Sequence, residues 1–305
     1  MKLHQAKLIQ SCLLAATISL ASLLATSAHA DASPQKLFES HDTLELAITA
    51  PWRELLKRKS YQDGYPAKLQ YSNDEGDPIE IDLTVERRGV SRQELCRIPP
   101  IKLRIDKSSA KGTLFRGQKD LKMVTHCKSG SDYEQYYILE MLAYRMYNLV
   151  TDYSFKVRPL TVTYFQAGAD KEQESGFSFF KPKTSAGPVF AFLIEDDKDV
   201  AKRFGLKNLH IPSIKPGQLD MEGTALFALF QYMIGNVDWA ALSGPDPKEC
   251  CHNVKLIGPE PTRSNDILHA IPYDFDSSGL VDSSYATTPE GLPIRRVTQR
   301  LYRGY

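Results

Sequence analysis

Two short segments in the first third of the chain alternate apolar and polar residues, and this alternation most constrains the fold. The segments cover residues 67–71 and 79–85, and each has the two-residue period of a half-buried strand. Between them lies Asn73-Asp74-Glu75-Gly76-Asp77-Pro78, a run of turn-forming residues. The sequence therefore predicts a β-hairpin here and a sheet that continues from it.

Further strands and helices are predicted from apolar runs and their period. Strands are expected at residues 101–105, 121–124, 157–165, 189–194, 254–257 and 267–271, and helices at 131–150, 195–204 and 221–234. Residues 44–48 and 52–56 are apolar but fit either a strand or a helix. Strands dominate the first part and helices the second, which predicts an α+β fold with two lobes. The expected division is a β-rich N-terminal lobe with one long helix (31–194) and a helical C-terminal lobe carrying acidic motifs (195–305).

The first thirty residues have the composition of a secretory signal peptide. Lys2 and Lys7 precede an apolar stretch without acids at 8–25, and Ala28-His29-Ala30 provides a cleavage signal. We therefore expect an exported protein, periplasmic or extracellular, and no later apolar run is long enough to span a membrane. Without residues 1–30, which contain two lysines and no acids, the formal net charge changes from +1 to −1. That balance gives no support for nucleic-acid binding, which needs a concentrated basic surface.

Four cysteines follow the predicted signal, namely Cys96, Cys127, Cys250 and Cys251. An even count in an oxidising compartment favours two disulfides. Because adjacent cysteines rarely bridge each other comfortably, Cys250 and Cys251 are each expected to pair with Cys96 or Cys127. An alternative is a zinc site made from His126-Cys127 and Cys251-His252.

Acidic residues in the last third provide the strongest indication of chemistry. Asp238 directly follows the predicted apolar helix and suits a catalytic base. Asn253 is a candidate neutral metal ligand. Asp274 and Asp276 alternate on a segment expected to be extended, so both would face the same side and bind a hard divalent cation. The simpler interpretation is that these side chains satisfy turn and loop amides.

A lysine on a strand and a glutamate in the following helix suggest a phosphate-binding pair. Lys122 lies on the predicted strand at 121–124, and Glu140 lies within the predicted helix. In kinases such a pair positions the phosphates of the nucleotide. Lys102 and Arg104 on the neighbouring strand are alternatives to Lys122.

These residues together resemble the atypical kinase-like superfamily, and most closely the exported spore-coat CotH-type kinase-like family. Gly235-Asn236-Val237-Asp238 is also similar to a motif of HipA-type kinases, and Tyr273-Asp274-Phe275-Asp276 completes the likeness. The resemblance implies a two-lobed kinase-like fold and Mg or Mn bound with a nucleoside triphosphate. By residue, it implies Asp238 as the catalytic group, Lys122 with Glu140 at the phosphates, and Asn253, Asp274 and Asp276 at the metal. The chain departs from the pattern in the fourteen residues between Asp238 and Asn253.

The sequence thus predicts an exported kinase-like protein that transfers a phosphoryl or related nucleotide-derived group. Its expected partners are a nucleotide and an unknown protein or small-molecule acceptor, with no nucleic acid and no membrane span. The alternative is a catalytically inactive, kinase-shaped binding or scaffold protein of the periplasm.

Overall fold

Seven strands close into a barrel in the computed structural model of the chain. The structure describes residues 36–57, 64–89, 92, 95–96, 98–128, 131–168, 188–246 and 250–304. The barrel strands are β1 (Leu44–Ala50), β2 (Tyr65–Ser72), β3 (Pro78–Arg87), β4 (Ile101–Ile105), β5 (Asp120–Val124), β6 (Val157–Gln166) and β7 (Val189–Ile194). The accompanying helices are α1 (Lys36–Glu39), α2 (Trp52–Leu55) and α3 (Ser131–Asn148).

The strand order around the barrel is β1-β2-β3-β4-β5-β7-β6. Neighbouring strands are antiparallel except β1 and β6, whose parallel pairing closes the barrel with Leu44 opposite Leu160. Alternate side chains point inward, as the two-residue period requires, and Leu69, Ile81 and Leu103 are fully buried there. The interior of the barrel is therefore the first hydrophobic core.

A second core lies on the outer face of the barrel, where α3 packs against β6 and β7. Val124 and Phe192 contribute from the barrel, and Tyr144 contributes from α3. Phe275 reaches this core from the C-terminal part of the chain, with its ring 4.7 Å from that of Tyr144. The packing places the segment that carries Asp274 and Asp276 directly beside α3.

The C-terminal part combines short helices with a small sheet. It contains α4 (Asp197–Arg203), β8 (Lys207–Leu209), a 3-10 helix (Pro216–Gln218), α5 (Met221–Met233), β9 (Val254–Gly258) and β10 (His269–Pro272). The three strands form an antiparallel sheet in the order β10-β9-β8. A third hydrophobic core lies between α5 and this sheet, around Phe227, Trp239 and Leu256.

The predicted two-lobed kinase-like fold with a helix-rich C-terminal lobe is wrong. The described chain is rich in β structure, with a closed seven-stranded barrel, and α4 and α5 after residue 194 have only 7 and 13 residues. The error has a physical source. Barrel closure depends on pairing β1 with β6, which are distant in sequence, and the runs at 254–258 and 269–272 complete a sheet instead of supporting a helical bundle.

Most of the predicted elements are nevertheless confirmed. The hairpin joins β2 to β3, and the ambiguous segments become β1 and α2. Residues 36–305 form one compact unit, and the expected division at 194/195 falls inside it, between β7 and α4. The predicted signal peptide lies outside the described residues.

The cysteines form two disulfides, but the predicted pairing is wrong. Cys96 bonds to Cys127, and Cys250 bonds to its neighbour Cys251. The bridges fit an oxidising compartment. They also exclude the zinc alternative, because Cys127 and Cys251 have no thiolate to offer a metal. In the described part of the chain, none of the helices has the length and apolarity needed to cross a membrane.

Candidate functional site

The end of α5 brings the two acidic motifs together. Gly235 adopts a positive φ of 66°, which ends the helix, and the N–H of Asn236 donates to the carbonyl of Gln231 at 2.8 Å. The N–H of Gly279 then donates to the carbonyl of Gly235 at 3.0 Å. A Cβ on Gly235 would lie 3.3 Å from the Cα of Gly279. The two segments can therefore approach this closely only because glycine has no side chain.

Both carboxylate oxygens of Asp238 are held by neighbours. Its Oδ1 lies 2.9 Å from Nε2 of His252, and its Oδ2 accepts a hydrogen bond from Nδ2 of Asn253 at 3.0 Å. Nδ2 of Asn253 also donates to the backbone carbonyl of Asp238 at 2.8 Å. The hydrogen bond to Asp238 raises the pKa of His252, which favours its charged form. Asp238 is thus oriented by two side chains while it remains partly exposed.

The described residues of the segment between Asp238 and Asn253, 239–246 and 250–252, return the chain to this contact. Ala240 and His252 form an isolated antiparallel bridge, with hydrogen bonds of 2.9 and 3.0 Å in the two directions. The vicinal disulfide Cys250–Cys251 lies immediately before it. The structure therefore brings the predicted residues Asp238 and Asn253 together despite their separation in sequence.

Asn253 also connects Asp238 to the second motif. Its backbone carbonyl accepts a hydrogen bond from the N–H of Tyr273 at 3.1 Å. The next residue, Asp274, has a positive φ of 61°, and its N–H donates to the hydroxyl of Tyr144 at 2.8 Å. The expectation of an extended segment at Asp274 and Asp276 is wrong, because β10 ends at Pro272. Their side chains still converge on one group.

That group is the guanidinium of Arg92. Its Nη2 lies 2.7 Å from Oδ1 of Asp274, its Nε 3.1 Å from Oδ2 of Asp276, and its Nη1 3.3 Å from Oε2 of Glu140. Arg92 and Glu140 are buried, with side-chain exposures of 7% and 1%. Burial raises the pKa of Glu140, and it raises that of Asp276 to about 8, against the opposing charge of Arg92. One cation thus holds three acids together.

Lys122 and Glu140 take different partners, so the predicted phosphate-binding pair does not form. Nζ of Lys122 contacts Asp197 at the start of α4, and it lies 5.2 and 5.6 Å from the ring centres of Phe155 and Tyr273. Lys255 approaches the same carboxylate at 3.8 Å. Burial lowers the pKa of Lys122, while the charge of Asp197 opposes that shift.

No family model, curated protein or solved structure matches this chain. The chemistry of the site must therefore be argued from its own atoms.

Two oxygens of this site suit a hard divalent cation. Arg92 uses only Oδ1 of Asp274, and Asn253 donates to Asp238 through its Nδ2, so Oδ2 of Asp274 and Oδ1 of Asn253 remain outside the hydrogen bonds among described residues. Asp276 is less suitable, because Arg92 and Ser277 occupy its two oxygens. Within the described ranges, no three His, Cys, Asp or Glu side chains gather as a metal-binding group. Mg²⁺ sites in proteins often use only one or two protein carboxylates, with water and phosphate oxygens as the other ligands.

Several residues that contact the candidate site residues could not be predicted from the sequence. Arg92, Asp197 and Lys255 contact the predicted residues, and His252, considered only as a zinc ligand, contacts Asp238. The only signal for the arginines was their crowding, as Arg87, Arg88 and Arg92 fall within six residues. Nothing in that pattern indicates which acids they approach.

Proposed function

We propose that the protein transfers a phosphoryl, or a related nucleotide-derived, group to an acceptor hydroxyl. The proposal rests on side chains and not on the fold, since one chemistry recurs on different folds. The observation that carries it is the link made by Asn253, which holds Asp238 through its side chain and the Asp274 segment through its carbonyl. A base and a cation-binding acid are thereby fixed relative to each other. The likeness to the CotH-type family remains a proposal that the two motifs support.

In the proposed reaction Asp238 accepts the proton of the acceptor hydroxyl. The hydroxyl oxygen attacks the terminal phosphorus of a nucleoside triphosphate, and the bond from that phosphorus to the bridging oxygen breaks, releasing the diphosphate. His252 and Asn253 hold the carboxylate so that it faces the acceptor. A divalent cation at Asp274 and Asn253 would neutralise phosphate charge, and Lys122 would contact the phosphates from the barrel side.

Asp238→Asn tests the proposal. Mixtures with ATP and either Mg²⁺ or Mn²⁺ are followed by phosphorus NMR, with water or the protein itself as acceptor. The asparagine keeps the size of the side chain but cannot accept a proton, so turnover should fall by about 10²- to 10⁴-fold. Asp74→Asn is the matched control, because Asp74 is exposed in the β2–β3 turn.

Two outcomes would contradict the proposal. One is an unchanged rate in Asp238→Asn, and the other is calorimetry that detects no nucleotide binding to the wild-type protein at millimolar concentration with either metal.

A binding protein without catalysis is the second candidate, and Arg92 favours it. A fixed guanidinium already neutralises the acids that a catalytic cation would use. Under this alternative Asp274→Ala would lower the melting temperature and leave nucleotide affinity unchanged. Under the leading proposal the same variant weakens metal-dependent nucleotide binding.

A further inference from the structure

One nitrogen of Arg303 holds the backbone on both sides of Asp238. Its Nη1 donates a hydrogen bond to the carbonyl of Val237 at 2.5 Å and a second to the carbonyl of Trp239 at 2.7 Å. The Cζ atom of Arg303 also lies 5.2 Å from the ring centre of Trp239, within the range of a cation–π contact. Hydrogen bonds from a charged donor are stronger than those between neutral groups. Arg303 therefore ties residues 237–239 to a segment that lies 66 positions from Val237 in sequence.

The two carbonyls belong to the peptide groups whose N–H groups are those of Asp238 and Ala240. The N–H of Asp238 donates to Oδ1 of Asn236 at 3.0 Å, and the N–H of Ala240 donates to the carbonyl of His252 at 3.0 Å. Each of these peptide groups is thus held at its oxygen by Arg303 and at its nitrogen by another group. Because a peptide group is planar, bonds at both ends fix its orientation.

The peptide group between these two is held by Asn253. Nδ2 of Asn253 donates to the backbone carbonyl of Asp238 and also to its carboxylate, so the backbone and the side chain of Asp238 share a partner. The orientation of the carboxylate therefore depends on three successive peptide groups, and Arg303 holds the first and the third.

We propose that Arg303 is a positioning residue for Asp238. It fixes the backbone that carries the carboxylate, so that the carboxylate meets the acceptor hydroxyl in one orientation. A small displacement of a reacting group can lower a rate by a large factor. Arg303 acts through Asp238 and not on the substrate. The role of Asp238 as the base rests on the proposed function, whereas the fixation of its backbone does not.

Amide hydrogen exchange in Arg303→Met tests this fixation without requiring turnover. The variant loses both hydrogen bonds and keeps an unbranched apolar stem beside Trp239. The amides of Asp238 and Ala240, followed by NMR, should exchange about tenfold faster than in the wild-type protein. Amides of β2, in the barrel, should keep their wild-type rates, because the change is local.

Two variants control for the loss of charge. Arg296→Met removes a charge from the same segment, where Arg296 is exposed, and Arg116→Met removes one from an exposed position between β4 and β5. Both should leave the exchange of Asp238 and Ala240 at the wild-type rate. Equal acceleration in Arg303→Met and in the two controls would contradict the proposal, since loss of charge alone would then explain it.

The barrel amides separate positioning from a purely structural role. If the amides of β2 accelerate by the same factor as those of Asp238 and Ala240, Arg303 supports the whole fold and the proposal is overturned. Wild-type exchange in Arg303→Met overturns it as well. If Arg303→Met does not fold, Arg303→Gln takes its place, because the shorter, uncharged side chain cannot reach both carbonyls. Wild-type exchange in that variant would be equally decisive against the proposal.

Turnover of ATP with Mg²⁺ provides a second readout. Arg303→Met should lower kcat by about 10²-fold and leave KM for ATP near its wild-type value, because the base is displaced while the cation-binding acid keeps its contacts. A higher KM with an unchanged kcat would assign Arg303 to nucleotide binding and contradict the positioning role.

Failure of this proposal differs from failure of the proposed function. Faster local exchange in Arg303→Met, in a chain without ATP turnover, supports the fixation of Asp238 by Arg303 and contradicts group transfer. Wild-type turnover with an unchanged kcat in Arg303→Met contradicts the positioning role and leaves group transfer in place.

Discussion

The two residues that define the site have unusual backbone conformations. Asn253 and Asp274 adopt positive φ angles of 51° and 61° in the left-handed region, where Asn and Asp are tolerated better than most residues. Such conformations concentrate at functional sites, where the surrounding structure maintains them. Here the hydrogen bonds of Asn253 to Asp238 and of Asp274 to Tyr144 do so. The residue types can be seen in the sequence, but the left-handed backbone conformation that orients their side chains cannot.

At the scale of single residues, the burial of His126 should make the stability of the protein depend on pH. Burial lowers its pKa to about 4 from an ordinary value of 6.5. Below pH 6.5 the unfolded chain therefore binds a proton that the folded chain does not. Stability should fall as the pH falls from 6.5 to 4, by up to about 1.4 kcal/mol per pH unit from this residue.

His126→Gln removes this titration, so its free energy of unfolding should depend less on pH in that window. Urea unfolding at pH 4, 5 and 6.5 measures the difference. His41→Gln is the control, since His41 is exposed. Parallel pH profiles for wild type and His126→Gln would show that His126 does not titrate as its burial requires.

At the scale of elements, α5 depends on the residue before it, Asp220, for a defined start. Asp220 caps the helix, with Oδ2 accepting a hydrogen bond from the N–H of Gly223 at 2.9 Å. Asp220→Ala should therefore destabilise the protein by about 1 kcal/mol. Asp220→Asn should cost much less, because asparagine caps equally well while losing the charge that faces His269.

Thermal or urea unfolding of both variants separates the cap from the ion pair. Equal losses in the two variants would assign the effect to the contact with His269 instead of the cap. A shortened α5 matters for the site, because its C-terminal end positions Gly235 and Asp238.

Local pattern predicted individual elements well because each carries its own signal. The alternation at 67–71 and 79–85 is sufficient to define β2 and β3, and the apolar run after Asp220 is sufficient to define α5. Segments of four or five residues such as 44–48 were ambiguous, since a short apolar run has no resolvable period. For the site residues on loops, too, local pattern identified the residues but not their contacts. Asp238 and Asp274 stand out in sequence, but their contacts with His252 and Arg92 depend on tertiary folding.

At the scale of the whole molecule, the architecture depends on contacts that no local pattern contains. β1 and β6 are separated by more than a hundred residues, and only their pairing turns a curved sheet into a barrel. Arg92 and Asp274 are 182 positions apart. Asp238 and Asn253 meet in the fold, whereas the arrangement of strands and helices around them differs from the one that the resemblance implied.

Arg92 connects three distant parts of the fold, and its loss should lower the free energy of unfolding of the whole protein. Arg92→Met leaves Glu140, Asp274 and Asp276 without their shared cation, and breaking a buried ion pair from one side typically costs about 3–5 kcal/mol. Glu140→Gln in the Arg92→Met background should recover part of that loss, because a neutral amide needs no counter-ion. Urea unfolding of the two single variants and the double variant measures this coupling. Arg116→Met controls for loss of charge, and if Arg92→Met is no less stable than that control, the acids do not need Arg92 to stay folded together.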